Sequence, residues 1–215
     1  MAAIATLMAV SCKKKKDAST PVPPVVDTTE TSTFIALKPG NYWIYQQYKL
    51  DSINGEAHAL GIYDSCYVEK DTTVNSKVYH KYYEPSFGSS TADYSLLRDS
   101  LTYTVNSNGV IVFTFYNFAD IFRTIYSYPS AAHPDTIRIT EQMGLKNGSI
   151  TVNAGTFITS AFRQIWHLPS SLPYGPTREY DVFRAMNIGI IRKTRAFYVA
   201  SPEIYEARLE RYHLQ

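Results

Sequence analysis

The residues of this 215-residue sequence that could act as nucleophiles, proton-transfer groups or metal ligands are scattered along the chain and form no known motif. The five histidines and two cysteines do not fall at the spacings from which proteins build zinc sites. The sequence also lacks a phosphate-binding glycine loop, a dinucleotide fingerprint and a serine nucleophile elbow. We therefore predict no metal, no cofactor and no catalytic residue.

A carboxylate pair and one thiol come closest to catalytic chemistry. Glu179 and Asp181 lie two residues apart, on one predicted strand face, and glycoside hydrolysis uses two carboxylates held across a cleft. A solvated strand face explains this pair better. Cys66 shares a predicted face with Ile62 and Val68, so we expect a buried, inert thiol without a disulfide partner.

Aromatic side chains offer a binding chemistry instead. They make up 14% of the residues, and 18 of them are tyrosines. Large rings can stack on a sugar or on an apolar ligand, although core packing also explains them. The candidate ligand-binding residues are Trp43, Tyr45, Trp166 and Tyr174.

The first cysteine, Cys12, follows a short apolar run. As a helix, the run from Ala2 to Val10 would cover only about half of the ~30 Å hydrocarbon core of a membrane. Such a run is typical of a secretory signal rather than of a membrane span. A cysteine thiolate is the nucleophile that can form a thioether, so Cys12 could carry a lipid.

The stretch from Leu7 to Cys12, Leu-Met-Ala-Val-Ser-Cys, resembles the lipobox of bacterial lipoproteins. The resemblance implies that residues 1–11 are a signal peptide that is cut off. It also implies that Cys12 becomes the first mature residue, acylated on its sulfur and on its new amino group. We therefore expect the protein to be attached to a membrane through this lipid anchor.

Four adjacent lysines, Lys13 to Lys16, follow the cysteine. Next to a lipid anchor each could add about 1 kcal/mol of attraction to anionic lipid. Without these four lysines the formal charge of the chain falls from +2 to −2. The rest of the chain has no basic excess for a phosphate backbone, so we predict that it binds no nucleic acid.

This lysine run and the Ser/Thr/Pro-rich tract behind it resemble lipoproteins of Bacteroidetes-type bacteria. In the general sorting rule, an Asp directly after the lipidated Cys favours the inner membrane. Lys13 stands there in this sequence, which implies the outer membrane. Surface-export signals of that group are usually acidic, so the basic run favours the periplasmic face over the cell surface.

Three segments follow from this organisation. Residues 1–11 form the signal peptide, and residues 12–33 form the lipidated start and a flexible linker that contains Pro21, Pro23 and Pro24. Residues 34–215 form one domain, since their length allows a single hydrophobic core.

Alternation with a period of two dominates this domain and predicts an all-β fold of roughly ten to twelve strands. Asn-Gly pairs at residues 54–55, 108–109 and 147–148 predict tight turns between strands. The segment from Val110 to Phe118 is apolar on both faces, which predicts a strand covered on both sides. The last segment, 204–214, is a strand or a helix, and its alternation favours the strand. The architecture is an antiparallel barrel or a strongly curved half-barrel.

Three short sequence motifs, which we call the landmarks, are spread over most of this domain and resemble those of other proteins. They are Gly-Asn-Tyr-Trp-Ile-Tyr at 40–45, Val-Asn-Ala-Gly-Thr-Phe at 152–157 and Asn-Ile-Gly-Ile-Ile-Arg at 187–192. Their order resembles uncharacterised Bacteroidetes envelope lipoproteins and is similar to the open half-barrel domains of periplasmic lipoprotein carriers. The resemblance implies a fold and a compartment, and no activity.

Several Asp-Ser or Asp-Thr pairs precede a Thr or an aliphatic residue. This pattern resembles the O-glycosylation acceptor of secreted Bacteroidetes proteins, and it is also ordinary turn chemistry. The candidate acceptors are Thr28, Ser52, Thr72, Ser100 and Thr136.

The sequence leaves three functions open. The favoured one is a non-enzymatic, membrane-anchored envelope protein that binds an apolar ligand, a glycan or a partner protein. The alternatives are a hydrolase that acts on envelope polymers and a structural accessory of an outer-membrane complex. A cavity lined by Phe and Tyr would favour the first, two carboxylates across a cleft the second, and a flat apolar patch the third.

Overall fold

A computed structural model describes residues 35–51, 54–85, 92–127, 136–170, 175–196 and 203–215. All of them belong to one compact unit, Thr31–Gln215. The predicted signal peptide, lipobox and linker lie outside the described residues. Within these ranges every regular element is a strand, and no helix there is long and apolar enough to cross a membrane.

Thirteen strands, all paired antiparallel, are present in the described part of the domain. They are β1 (Tyr42–Leu50), β2 (Ala57–Val74), β3 (Lys77–Pro85), β4 (Ala92–Ser100), β5 (Tyr103–Asn106), β6 (Ile111–Thr114), β7 (Ile121–Ser127), β8 (Ile137–Met143), β9 (Gly148–Val152), β10 (Gly155–His167), β11 (Thr177–Ala185), β12 (Gly189–Ala196) and β13 (Ile204–His213). The predicted all-β antiparallel fold is confirmed, and the last segment is the favoured strand.

Twelve strands follow one path, in the order β6-β5-β4-β3-β2-β1-β13-β12-β11-β10-β8-β7, and β9 pairs only with β10. The path curls into a nearly closed barrel whose one seam lies between β6 and β7. Aromatic rings meet across this seam. Phe122 of β7 meets Tyr103 of β5 edge-on at 6.5 Å between ring centroids and stacks on Phe162 of β10 at 6.4 Å. Side chains, rather than a ladder of hydrogen bonds, therefore bring the two ends of the sheet together.

The two strands at the seam differ most from the sequence prediction. The expected strand from Val110 to Phe118 is only the four residues of β6, and Tyr116 beyond it is 60% exposed. Phe113 and Thr114 point to opposite faces and are both 0% exposed, so the predicted cover on both faces is confirmed there. It does not extend along the whole segment, since Tyr116 is exposed. β7 was missed because it is an edge strand with a mixed pattern, in which Ile121 and Tyr126 are exposed.

The turn predictions met different outcomes. The amide of Gly109, with φ of +77°, donates to the Asn106 carbonyl at 2.9 Å, so this hairpin turn is confirmed. Asn147, with φ of +55°, also turns the chain. It does not join a hairpin, however, because β8 and β9 pair with different parts of the long strand β10.

The landmarks meet in the core. The indole N–H of Trp43 donates to the Ile188 carbonyl at 2.7 Å, and the hydroxyl of Tyr45 donates to the Ile190 carbonyl at 3.0 Å. A Cβ at Gly189, where φ is +112°, would lie 3.2 Å from the Trp43 indole nitrogen, so the close approach and the backbone both favour glycine. The landmark residues thus fix the contact between β1 and the start of β12.

Candidate functional site

The three aromatic candidates that the structure describes lie on two strands, Trp43 and Tyr45 on β1 and Trp166 on β10. Trp43 is 1% exposed and Tyr45 is 0% exposed, and each gives its polar hydrogen to a backbone carbonyl. Trp166 is half-buried on β10, opposite Arg178 of β11. Tyr174 lies outside the described residues. The first two side chains are therefore held as core residues, and a ligand-binding role for the four stays a prediction.

The carboxylate pair on β11 is bound by one arginine. Arg163 of β10 donates from Nε and Nη2 to the two carboxylate oxygens of Asp181, at 2.7 Å each. Its Nη1 lies 2.9 Å from a carboxylate oxygen of Glu179. The hydrogen bond to Asp181 raises the pKa of Arg163 above its ordinary value. We call these three residues the outer triad, in which every guanidinium nitrogen has a carboxylate partner.

Cys66 is the buried thiol that the sequence predicted. It is 0% exposed and forms no disulfide. Burial raises the pKa of this thiol to about 12 and outweighs the opposing effect of Lys193. At neutral pH the side chain is therefore a protonated thiol, and a thiolate is the form that would attack a substrate.

A second group of charges lies inside the barrel, on faces that the sequence did not identify. Lys193 of β12 donates to a carboxylate oxygen of Glu84 at the end of β3. The Lys193 side chain is 10% exposed and the Glu84 side chain 32%. The Lys193 ammonium also lies 5.4 Å from the ring centroid of Tyr45. With Arg184 of β11, these residues form what we call the interior cluster, defined as Glu84, Lys193 and Arg184.

Arg184 is the unusual member of the interior cluster. It is 8% exposed, and its guanidinium carbon lies 4.8 Å from the ring centroid of Phe113. Its Nε and Nη1 are buried, and neither donates a hydrogen bond to any residue in the described ranges. Burial lowers the pKa of Arg184, and the Glu84 carboxylate acts in the opposite direction. We treat the guanidinium as charged at neutral pH, because arginine side chains stay protonated in proteins.

The interior cluster carries more positive charge than negative charge. Burial is the largest single effect on Lys193 and lowers its pKa, but Glu84, Cys66 and Tyr180 together outweigh burial, so this pKa lies above its ordinary value. Burial also raises the pKa values of the nearby hydroxyls of Tyr45 and Tyr82, which stay neutral. The interior cluster therefore holds two cations and one carboxylate.

The sequence carried a weak signal for this cluster. Arg184 shares a strand face with Val182, and Lys193 shares one with Ile191, so each places a charge on an otherwise apolar face. Such a charge is buried only if that face turns inward. The sequence does not decide the direction, because Asp181 and Arg192 place charges on the opposite faces of the same strands.

The glycosylation candidates fall in different settings. Thr28 and Ser52 lie outside the described residues. Thr72 lies within β2 opposite Tyr79, and Ser100 ends β4 opposite Tyr103. Thr136 is exposed directly before β8. Modification of all five stays a prediction.

Two surface cavities of about 460 and 420 Å³ lie away from these groups. The larger is lined in part by Ile44, Tyr63 and Arg211, and neither lining includes an aromatic candidate or a member of the interior cluster. In the part of the chain that the structure describes, no three His, Cys, Asp or Glu residues are grouped as a metal site would require.

No family model matches this chain, and no curated protein matches it. Two solved structures are similar to it. One is a protein of Bacteroides fragilis described as exported and as having a YmcC-like fold, with 14% identity, a TM-score of 0.45, and cover of 84% of this chain and 98% of that one. The other is described as a lipoprotein of Parabacteroides distasonis, with 17% identity, a TM-score of 0.43 and the same cover.

Proposed function

We propose that this chain is a membrane-anchored envelope lipoprotein whose β domain is a non-enzymatic binding module. The tether is supported by the order of segments in the sequence. A short apolar run precedes Cys12, four lysines follow it, and a proline-containing linker leads into the domain. The anchor on Cys12 would hold the domain at the outer membrane, on its periplasmic face, because Lys13 and its basic neighbours follow the lipidated residue.

One observation carries the binding role, and it is the excess of positive charge in the interior cluster. A domain that served only as a scaffold would gain stability from an apolar side chain in place of Arg184. A buried arginine with unused donors is instead what a module needs to hold an acidic group. The groups that could support hydrolysis are engaged elsewhere, because Arg163 binds both Glu179 and Asp181.

The tether is tested by the intact mass of the full chain, expressed in a bacterium with lipoprotein-processing enzymes. We expect loss of residues 1–11 and a mass increase from acyl groups on Cys12. Cys12→Ser should retain residues 1–11 and gain no acyl mass. Cys66→Ala is the matched control, because it removes the other cysteine and should be processed as the natural chain is. Unprocessed natural chain without acyl groups would contradict the proposal.

A further inference from the structure

The interior cluster points to a chemical class of ligand. We propose that it takes up an amphiphilic anion, a carboxylate or phosphate group attached to an apolar chain, and that Arg184 anchors the anionic group. This inference rests on the binding role proposed above and adds the class of ligand to it.

The charges of the cluster call for an anion. Lys193 already donates to Glu84, and Arg184 keeps two buried donors, Nε and Nη1, that reach no acceptor among the described residues. Taking a cation out of water costs several kcal/mol in a folded protein, and the carboxylate that acts on Arg184, Glu84, is bound by Lys193. A second anionic group beside Arg184 would offset that cost through charge-assisted hydrogen bonds. A neutral sugar would leave the excess positive charge unmatched.

The apolar surroundings of Arg184 favour a ligand that carries a hydrocarbon chain as well as the anionic group. Its guanidinium lies against Phe113, which meets Phe115 edge-on at 4.7 Å between centroids. Phe122 lies beside Phe162 across the seam from β5 and β6. These rings line the place where the strands of the barrel are not joined by hydrogen bonds. A hydrocarbon chain could lie along them while its acidic head meets Arg184.

The cluster also has a route to solvent. The Glu84 side chain is 32% exposed, although its partner Lys193 is 10% exposed. Glu84 is thus the most exposed member of the cluster, and Arg184 is 8% exposed. We therefore place the entry of the anion on the side of Glu84.

The test is calorimetric titration of the full chain carrying Cys12→Ser, so that no acyl anchor can act as the ligand. The probes are octanoate, octyl phosphate and octanol. We expect at least one of the two anions to bind, and octanol to bind about tenfold more weakly or not at all. Arg184→Gln should weaken anion binding about tenfold or more, whereas Arg163→Gln, the matched change in the outer triad, should leave it within about twofold.

Every outcome of this titration either supports or overturns the proposal. Binding of octanoate alone or of octyl phosphate alone supports the proposal and identifies the head group, and binding of both supports an anion site of either chemistry. No binding of either anion, equal binding of octanol, or equal affinity in Arg184→Gln overturns it. Because this chain lacks the anchor, the result is independent of whether Cys12 is acylated, which the intact-mass experiment measures separately.

If Arg184→Gln does not fold, the chain with its natural Arg184 still permits a test. A ligand that binds only the folded state raises the Tm as its concentration rises. Octanoate or octyl phosphate should raise the Tm of this chain, and octanol should not. The same Tm with either anion as without it would overturn the proposal.

Discussion

The two faces of the β10–β11 strand pair carry Arg163 and Arg184 respectively, and these two arginines end in opposite situations. On the outer face Arg163 lies directly opposite Asp181 in the register, so the guanidinium finds its partner within the sheet. On the inner face Arg184 lies opposite Ser160, and Glu84, the carboxylate that acts on the pKa of Arg184, binds Lys193. The register of the strand pair thus gives Arg163 a carboxylate partner and gives Arg184 none.

The largest effect should come from removing the one carboxylate of the interior cluster. Glu84→Gln would leave Lys193 and Arg184 as two cations in the barrel interior, and we expect a loss of about 3 kcal/mol in the free energy of unfolding. Urea denaturation measures this loss. Adding Lys193→Met to the same chain should restore most of it, and a double variant as unstable as the single one would contradict the account.

A smaller effect of opposite sign is expected at Arg184. Arg184→Met keeps the packing on Phe113 and removes an unmatched buried charge, so the ligand-free protein should become more stable by about 1 kcal/mol. Thermal and urea unfolding of the two chains give the comparison. A loss of more than about 1 kcal/mol would mean that the guanidinium is already neutralised, and the contrast with Arg163 would then disappear.

The fall in the free energy of unfolding at alkaline pH tests the burial of Cys66, whose pKa is affected by Lys193 and Glu84 of the interior cluster. The pKa of Cys66 is raised from its ordinary 9.0 to about 12 in the folded chain, so the unfolded chain loses its thiol proton first as the pH rises. The stability from this group is complete below pH 9 and is lost between pH 9 and 12. Cys66→Ala should reduce the fall in unfolding free energy between pH 8 and 10 by about 1 kcal/mol. The same fall in both chains would show an exposed thiol.

The smallest effect should appear in the outer triad. Arg163 is partly exposed, so Arg163→Gln should cost about 0.5–1 kcal/mol at low ionic strength and less in about 1 M salt, which screens surface charges. Unfolding measured at the two salt concentrations gives this difference. A cost as large as that of Glu84→Gln would remove the distinction between the two faces.

Most of the strand pattern could be predicted because alternation and the turn at Gly109 are local signals. β7 was missed because an edge strand need not alternate, as its exposed Ile121 shows. The interior cluster could not be predicted, because it unites Glu84 with residues about a hundred positions later in the chain. Neighbouring charges on both faces of β11 and β12 also hid which face turns inward.

The place of β13 has a consequence for how the chain matures. This last strand pairs with both β1 and β12. It sets His213 beside Tyr42, although the two residues lie near opposite ends of the domain's sequence. During synthesis, no ladder of backbone hydrogen bonds between the described strands joins the two halves of the sheet until the C-terminal residues arrive. Closure of the sheet is therefore a late, long-range event, and such events make folding slow. A chain that stops before Ile204 would leave β1 and β12 as additional open edges, joined by side-chain contacts such as Trp43 with Ile188.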